Sequence, residues 1–281
     1  MSEGEAVPAL AGPPSRNLLE RILAAAVLVP LTLGAAYAGG VLWTALVTLA
    51  VIGLYVEWLT VAGAARERRI VATGVVALAV TGLSLSLSRL DAALVLGVLG
   101  LLSVTFISAE RRGWVVAGFV YAAVPLFAAV LLRADLQLGF IALIFVLLIV
   151  WTTDIGAYFA GRGIGGPKLW PRVSPNKTWA GAIGGFAVSL LVAAGFAASG
   201  VSRILPLLIV GGALSIAGQL GDLFESAVKR HFGVKDSGHL IPGHGGLMDR
   251  LDSLVAAIAL AAILGILRGG VDGAGRGLMV W

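Results

Sequence analysis

The sequence predicts an all-α polytopic membrane protein, with about nine transmembrane helices in one bundle, the N-terminus cytoplasmic and the C-terminus outside. Three observations carry this reading. The 281 residues are 59% hydrophobic and only 12% charged, and the mean hydropathy is +0.99, which removes the chain from the range of water-soluble domains. Nine runs come close to the roughly 20 apolar residues that a helix needs to cross a bilayer. Lys and Arg are distributed unequally between alternate loops, fifteen on the side of the N-terminus and five on the other, and the basic side is the cytoplasmic one.

Taken in order, the chain opens with a Pro/Gly/Ala-rich stretch whose early charges, Glu3 and Glu5, are acidic. A secretory signal has a basic start instead, so residues 1–16 are expected to be a disordered tail. Arg16 and Arg21 then lead into the first apolar segment, 22–38. The others are 40–57, 70–88, 92–108, 114–132, 138–160, 179–200, 204–228 and 251–268. Together they make a transmembrane domain over 17–268, with polar cytoplasmic loops at 161–178 and 229–250 and a flexible C-terminal tail at 269–281. The Gly and Ala content of several segments suits close helix packing in lipid. There is no cysteine, which excludes disulfides, thiolate metal sites and a cysteine nucleophile. A net charge of +5 is accounted for by the cytoplasmic loops and does not point to nucleic acid.

Polar residues inside the apolar runs carry the functional signal. In the eighth segment Ser215, Gln219, Asp222, Ser226 and Lys229 recur at helical spacing, a stripe about 21 Å long at 1.5 Å per residue. Glu225 lies four residues before Lys229, where an ion pair can form. An intramembrane carboxylate usually faces a cavity or a cation; for Ser215 and Gln219, hydrogen bonding between helices serves as well. The ninth helix opens with Asp249 and Asp252, three residues apart, which either share divalent cations or cap the helix. Thr153, Asp154, Tyr158 and Arg162 lie at the end of the sixth segment, three of them on one face.

The two loops look built for phosphates. Residues 161–181 hold Gly161, Gly163, Gly165 and Gly166, the hydroxyls of Ser174 and Thr178, and the point charges of Lys168 and Lys177; Ser174-Pro175 also reads as a helix start. Simple positive-inside anchoring accounts for the lysines equally well. The stretch from Ser226 to Asp252 concentrates four Lys/Arg and three Asp between two apolar runs. His231 and His239 match no zinc spacing and are given no role; His244 suits loop structure or phosphate contact. Trp43, Trp58, Trp114, Trp151 and Trp170 fall near helix ends, as interfacial anchors do. Glu57 is left unassigned between a buried and an interfacial place. Magnesium bridging phosphate oxygens, lysines neutralising a leaving pyrophosphate and a lipid held in line would together make chemistry between a polyphosphate and a lipid headgroup. A cation- or proton-coupled transporter would also place Asp222 in a membrane cavity, without needing a basic Gly-rich loop.

Ser226-x-Val228-Lys229-Arg230, Lys235-Asp236-x-Gly238 and Pro242-x-His244-Gly245-Gly246-x-x-Asp249-Arg250-x-Asp252 together resemble the full signature of the phosphatidate cytidylyltransferases, the CDP-diacylglycerol synthases. Asp154-x-Gly156-Ala157-Tyr158 and SPNKTWAG resemble the family's second polar region, with Asn176 and Ala180 departing from its common SPKKTWEG. The resemblance implies attack of the phosphatidate phosphate on the α-phosphorus of CTP, giving CDP-diacylglycerol and pyrophosphate in a bacterial inner membrane. It also implies Mg2+, a possible second cation such as K+, and a homodimer. By the same resemblance Asp222, Asp249 and Asp252 are metal ligands, and Lys229, Arg230, Lys235 and Asp236 handle phosphates or organise the loop. Asp154, Ser174, Lys177 and Thr178 bind CTP, with Tyr158, Lys168, Ser226, His244, Gly245 and Gly246 as further substrate-binding positions. An isoprenoid lipid in place of phosphatidate is the nearest alternative.

Overall fold

A computed structural model of the chain describes residues 15–238 and 245–281, with the side chains of the first helix described from residue 26 onward. In order the helices are α1 (Ser15–Ala38), α2 (Gly40–Val61), α3 (Arg68–Ser86), α4 (Leu90–Ile107), α5 (Arg112–Ala134) and α6 (Gly139–Gly163). After a short hairpin, β1 (Lys168–Trp170) and β2 (Ser174–Thr178), come α7 (Trp179–Ala198), α8 (Ile204–His231), α9 (Met248–Gly269) and α10 (Ala274–Met279). Among the described residues eight helices, α2 to α9, are long and apolar enough to cross a membrane, and α1 adds the shorter apolar stretch Ala26–Ala38. The nine apolar segments of the sequence fall on α1 to α9. Residues 1–14 of the expected disordered tail lie outside the described residues, and Ser15 and Arg16 already belong to α1.

One apolar core runs through the bundle from Val47 on α2 through Phe119 on α5 and Phe145 on α6 to Ile258 on α9. A second, smaller cluster joins Leu54 and Trp58 of α2 to Val228 of α8 and to Met248 and Val255 of α9. It fastens the ends of α8 and α9 that bear the charged residues. α8 and α9 come together closely because Gly221 has no side chain: a β-carbon there would lie 2.6 Å from the carbonyl oxygen of Asp252, well inside contact distance.

The structure departs from the sequence expectation in three places. The first polar loop is not wholly irregular: β1 and β2 pair antiparallel, Lys168 opposite Thr178 and Trp170 opposite Ser174. The following helix therefore starts later than Ser174-Pro175 suggests, with the Thr178 hydroxyl accepting a hydrogen bond from the Gly181 amide as its cap.

Trp43 and Trp58 are not interfacial anchors. Both are buried, and their indole N–H groups donate to the carbonyls of Ala129 (3.0 Å) and Trp114 (2.8 Å) on α5. A large ring with one polar atom is stable inside when that atom finds an acceptor.

The expected flexible tail contains α10, with Ala274, Leu278 and Met279 buried. Asp135, in the turn between α5 and α6, accepts hydrogen bonds from the Arg276 amide (2.8 Å) and its guanidinium (3.1 Å). Arg268 at the end of α9 lies 3.4 Å from the Trp281 ring centroid and donates to the Val280 carbonyl. Two buried or stacked polar pairs thus tie down a stretch whose composition looks loose.

Candidate active site

The polar stripe of α8 divides into two parts with different partners. Ser215 receives a hydrogen bond from Thr153 of α6 (2.9 Å), and Gln219 donates weakly to Ser215 and to the Ala182 carbonyl of α7, at 3.4 Å in both cases. These two residues join helices. Further along, Asp222 meets Lys177 of β2 in an ion pair and accepts from Ser226 at 3.4 Å. The hairpin is thereby pinned over the acidic part of α8, which brings the two polar regions of the sequence into one site.

One turn on, Lys229 holds two carboxylates at once. Its ammonium lies 2.8 Å from Glu225, as the four-residue spacing predicts, and 2.5 Å from Asp249 of α9. Glu225 is fully buried and Lys229 nearly so. A pair so far from water is stable only while both partners remain. The second oxygen of Asp249 accepts from the Ser237 amide (3.1 Å), the Ser237 hydroxyl (3.0 Å) and the Gly246 amide (3.2 Å). Asp249 therefore anchors both flanks of the second polar loop.

Glu57 is the residue whose role sequence reasoning missed. It is 3% exposed, and its carboxylate accepts from the Leu247 amide (2.9 Å), the Met248 amide (2.7 Å) and the Ser237 hydroxyl (3.1 Å). An acid from α2 thus satisfies the free N–H groups at the start of α9, where helix N-termini favour negative charge. Gly246 has to be glycine, because a β-carbon would collide with the Ser237 hydroxyl and lie 2.8 Å from a Glu57 oxygen. The available signal was an ionisable residue inside an apolar run; its partner, 190 positions away, was not readable.

Asp249 and Asp252, expected to face one way, have different surroundings. Asp252 accepts from its neighbouring Ser253 amide (2.7 Å) and lies close enough to Asp222 and Asp154 for their charges to act on one another. Asp154 of α6, Asp222 of α8 and Asp252 of α9 thus lie within electrostatic reach of one another, with Lys177 acting on both Asp154 and Asp252. Tyr158 and Arg162 stay on the exposed face of α6 and bond each other at 2.9 Å. Lys168 lies exposed on β1, and Ser174 is half-buried on β2. Arg230 donates to the Val234 carbonyl (3.0 Å) and shapes the turn after α8. Lys235 and Asp236 are exposed. His244 lies outside the described residues, as does His239; Gly245 has φ +86°, a left-handed conformation that glycine adopts without strain.

The donor set consists of carboxylate oxygens, the ligands of hard cations such as magnesium. No three acids or histidines among the described residues stand together as a ready cation cage. Asp222 and Asp249 each pair with an ammonium group. Lys177 of the hairpin and the Gly246 amide reach these acids, and an apolar cavity borders Asp252. The arrangement can place a polyphosphate against a lipid headgroup.

Comparison with known proteins agrees with this chemistry. Residues 19–267 match the model of the cytidylyltransferase family. The phosphatidate cytidylyltransferase of Brucella suis biovar 1 is 45% identical over 257 residues, covering 89% of this chain and 93% of that protein. That of Bacillus subtilis is 47% identical over 121 residues, 42% of this chain and 45% of that protein. The enzyme of Staphylococcus saprophyticus is 52% identical over 125 residues, or 43% and 48%. With the membrane helices, the neighbouring acids and the paired polar loops in place, the chain belongs to the phosphatidate cytidylyltransferase family, the CDP-diacylglycerol synthases.

Proposed function

We propose that CTP lies between the β1–β2 hairpin and the charged ends of α8 and α9, and that the phosphate of phosphatidate attacks its α-phosphorus from the membrane side, with pyrophosphate leaving. The observation that carries this reading is the Lys177–Asp222 ion pair, which sets a cation from the hairpin on an intramembrane acid. Lys177 and Lys229 are the two ammonium groups at the site; on arrival of the triphosphate Lys177 turns from Asp222 to phosphate oxygens, while Lys229 keeps its buried partners and organises the loop. Asp222, Asp249 and Asp252, with Asp154 near them, would hold magnesium, which would supply positive charge to offset that of the leaving pyrophosphate. Ser174, Lys168, Tyr158 and Lys235 line the approach to the hairpin and loop and contact the nucleotide. Arg230, Asp236, Ser226, Thr178, Gly245 and Gly246 shape that approach, with His244 assigned to phosphate contact.

No general base is required. The attacking phosphate oxygen already carries charge near neutral pH, so positioning and electrostatics supply the catalysis. The surplus of Lys and Arg on one set of loops supports a cytoplasmic site in a bacterial inner membrane, and the family resemblance supports a homodimer with a second cation such as potassium.

Purified protein in detergent, given phosphatidate, magnesium and CTP labelled at the α-phosphorus, is expected to transfer label to lipid with release of pyrophosphate. EDTA should abolish the transfer and added magnesium restore it. Labelling of an isoprenoid acceptor in preference to phosphatidate would overturn the lipid assignment, and lipid labelling unaffected by EDTA would overturn the metal.

A further inference from the structure

Asp252 stands at one end of a long apolar groove. On α9 the residues Asp252, Ala256, Ala259, Ile263 and Ile266 follow spacings of four, three, four and three, so the acid and the groove share one helix face. The stretch nearest the acid is a cavity of about 550 Å³ between α5, α8 and α9, bordered by Tyr121, Leu220, Phe224 and Asp252. A second stretch of about 430 Å³ continues between α4, α5 and α9 as far as Leu131 and Ile266. Val120, Val124 and Ala259 border both stretches. From Asp252 to Ile266 the groove runs about 21 Å along the helix axis at 1.5 Å per residue.

The lining selects the occupant. Apart from Asp252 and Tyr121 at the acidic end, none of the lining side chains is polar. Val124, Phe224 and Ile263 are exposed on the flank of the bundle, so the groove opens sideways, towards hydrocarbon in a membrane. Its length exceeds half of a roughly 30 Å hydrocarbon core, the depth that one leaflet's acyl chain has to span. At its acidic end the Tyr121 ring packs on Trp58 with centroids 4.9 Å apart. The Tyr121 hydroxyl is buried and has no hydrogen-bond partner, although a buried donor of this kind normally has one.

We propose that this groove seats one acyl chain of the diacyl lipid substrate, with its ester or phosphate oxygens accepting a hydrogen bond from Tyr121 at the acidic end. The chain would enter sideways between α4 and α8 and fix the lipid phosphate at the level of Asp252. This rests on the proposed use of phosphatidate and adds the lipid's location and the residues that select its chain length.

Narrowing the groove at its midpoint tests the proposal. For Ala259→Phe, the ratio of kcat/KM for dioleoyl over dihexanoyl phosphatidate should fall about tenfold or more, the effect expected of losing a few methylene contacts. Leu191→Phe, on the exposed face of α7, should leave the ratio unchanged. Tyr121→Phe should raise the KM for both lipids by about threefold to tenfold, the size of one hydrogen bond, without changing the ratio or the KM for CTP.

In the unaltered protein, phosphatidate with a photoreactive group at the chain terminus should label α9 near 259–266 or α5 near 124–131. An unchanged ratio in Ala259→Phe, or labelling confined to α1–α3 or to a second copy of the chain seated on the groove, overturns the groove. Failure of the unaltered protein to turn over either lipid overturns the functional reading instead.

Discussion

The two ends of α9, about 33 Å apart for its 22 residues, both carry carboxylates inside or beside the bundle, and they differ in how those carboxylates are satisfied. At the far end Asp135 accepts from the amides of Gln137, Leu138 and Arg276 and from the Arg276 guanidinium. Every partner belongs to the backbone or to a side chain fixed by α10. At the near end Asp222 is held by the ammonium group of Lys177; Asp249 is held by that of Lys229 and by the Ser237 amide and hydroxyl and the Gly246 amide, and among the described residues Asp252 accepts from the adjacent Ser253 amide. A carboxylate saturated by fixed donors is a structural joint. One neutralised by a lysine on a hairpin can exchange that partner for another cation, which makes it a site.

The strongest way to break this comparison is to neutralise an acid at each end. Asp222→Asn and Asp252→Asn should each lower turnover by about 100-fold or more while the protein still inserts, the scale seen when one electrostatic stabiliser is removed. Asp135→Asn should leave turnover within a few-fold. Equal losses in label-transfer assays would erase the distinction.

Next in size is the buried ion triplet. Lys229→Met leaves Glu225 and Asp249 without their shared cation, and should destabilise the protein by about 3–5 kcal/mol in detergent unfolding. Adding Glu225→Gln should recover part of that. If the single variant unfolds like the parent, the triplet is not holding α8 to α9.

A smaller effect is expected at Glu57. Glu57→Gln keeps the shape but replaces a charged acceptor beneath the α9 N-terminus, costing about 1–3 kcal/mol. Hydrogen exchange should rise at Met248 and Leu247 and stay unchanged in α10. Exchange rising at both ends would contradict a local role.

The smallest effect is a pH dependence at the far end. Burial pushes the Asp135 carboxyl up, but the amides of Arg276, Gln137 and Leu138 and the Arg276 side chain outweigh it and hold the group below the usual carboxylate range. Its contribution is therefore fully present above the unfolded value, near pH 4, and is lost as pH falls through the lower folded value. Protection of the α10 amides should be flat from pH 7 to about 5 and decline below about 4. A decline already complete at neutral pH would exclude Asp135 as the anchor.

Much of the near end was legible. The Glu225–Lys229 pair follows from a four-residue spacing, and the α8 stripe from a helical period, because local geometry alone decides which residues share a face. The hairpin over residues 168–178 was not legible: Gly, Pro and Lys there fit a loop equally well, and pairing of Lys168 with Thr178 depends on a turn rather than on periodicity. The separation of Asp249 from Asp252 was missed for a related reason. Three-residue spacing puts two Cβ atoms near each other, but where each carboxylate turns is set by Lys229, Ser237 and Asp222 on other elements.

By itself the sequence determined the helices and the signature of the polar loops, because bilayer thickness and backbone hydrogen bonding leave an apolar run of this length little else to form. Only the tertiary structure decided that Glu57 reaches the start of α9, that α10 is anchored by Asp135, and that Asp252 heads a groove between α5, α8 and α9. These depend on which helix lies beside which, and in an apolar solvent many packings bury similar surface; specific small residues and satisfied polar atoms select one of them.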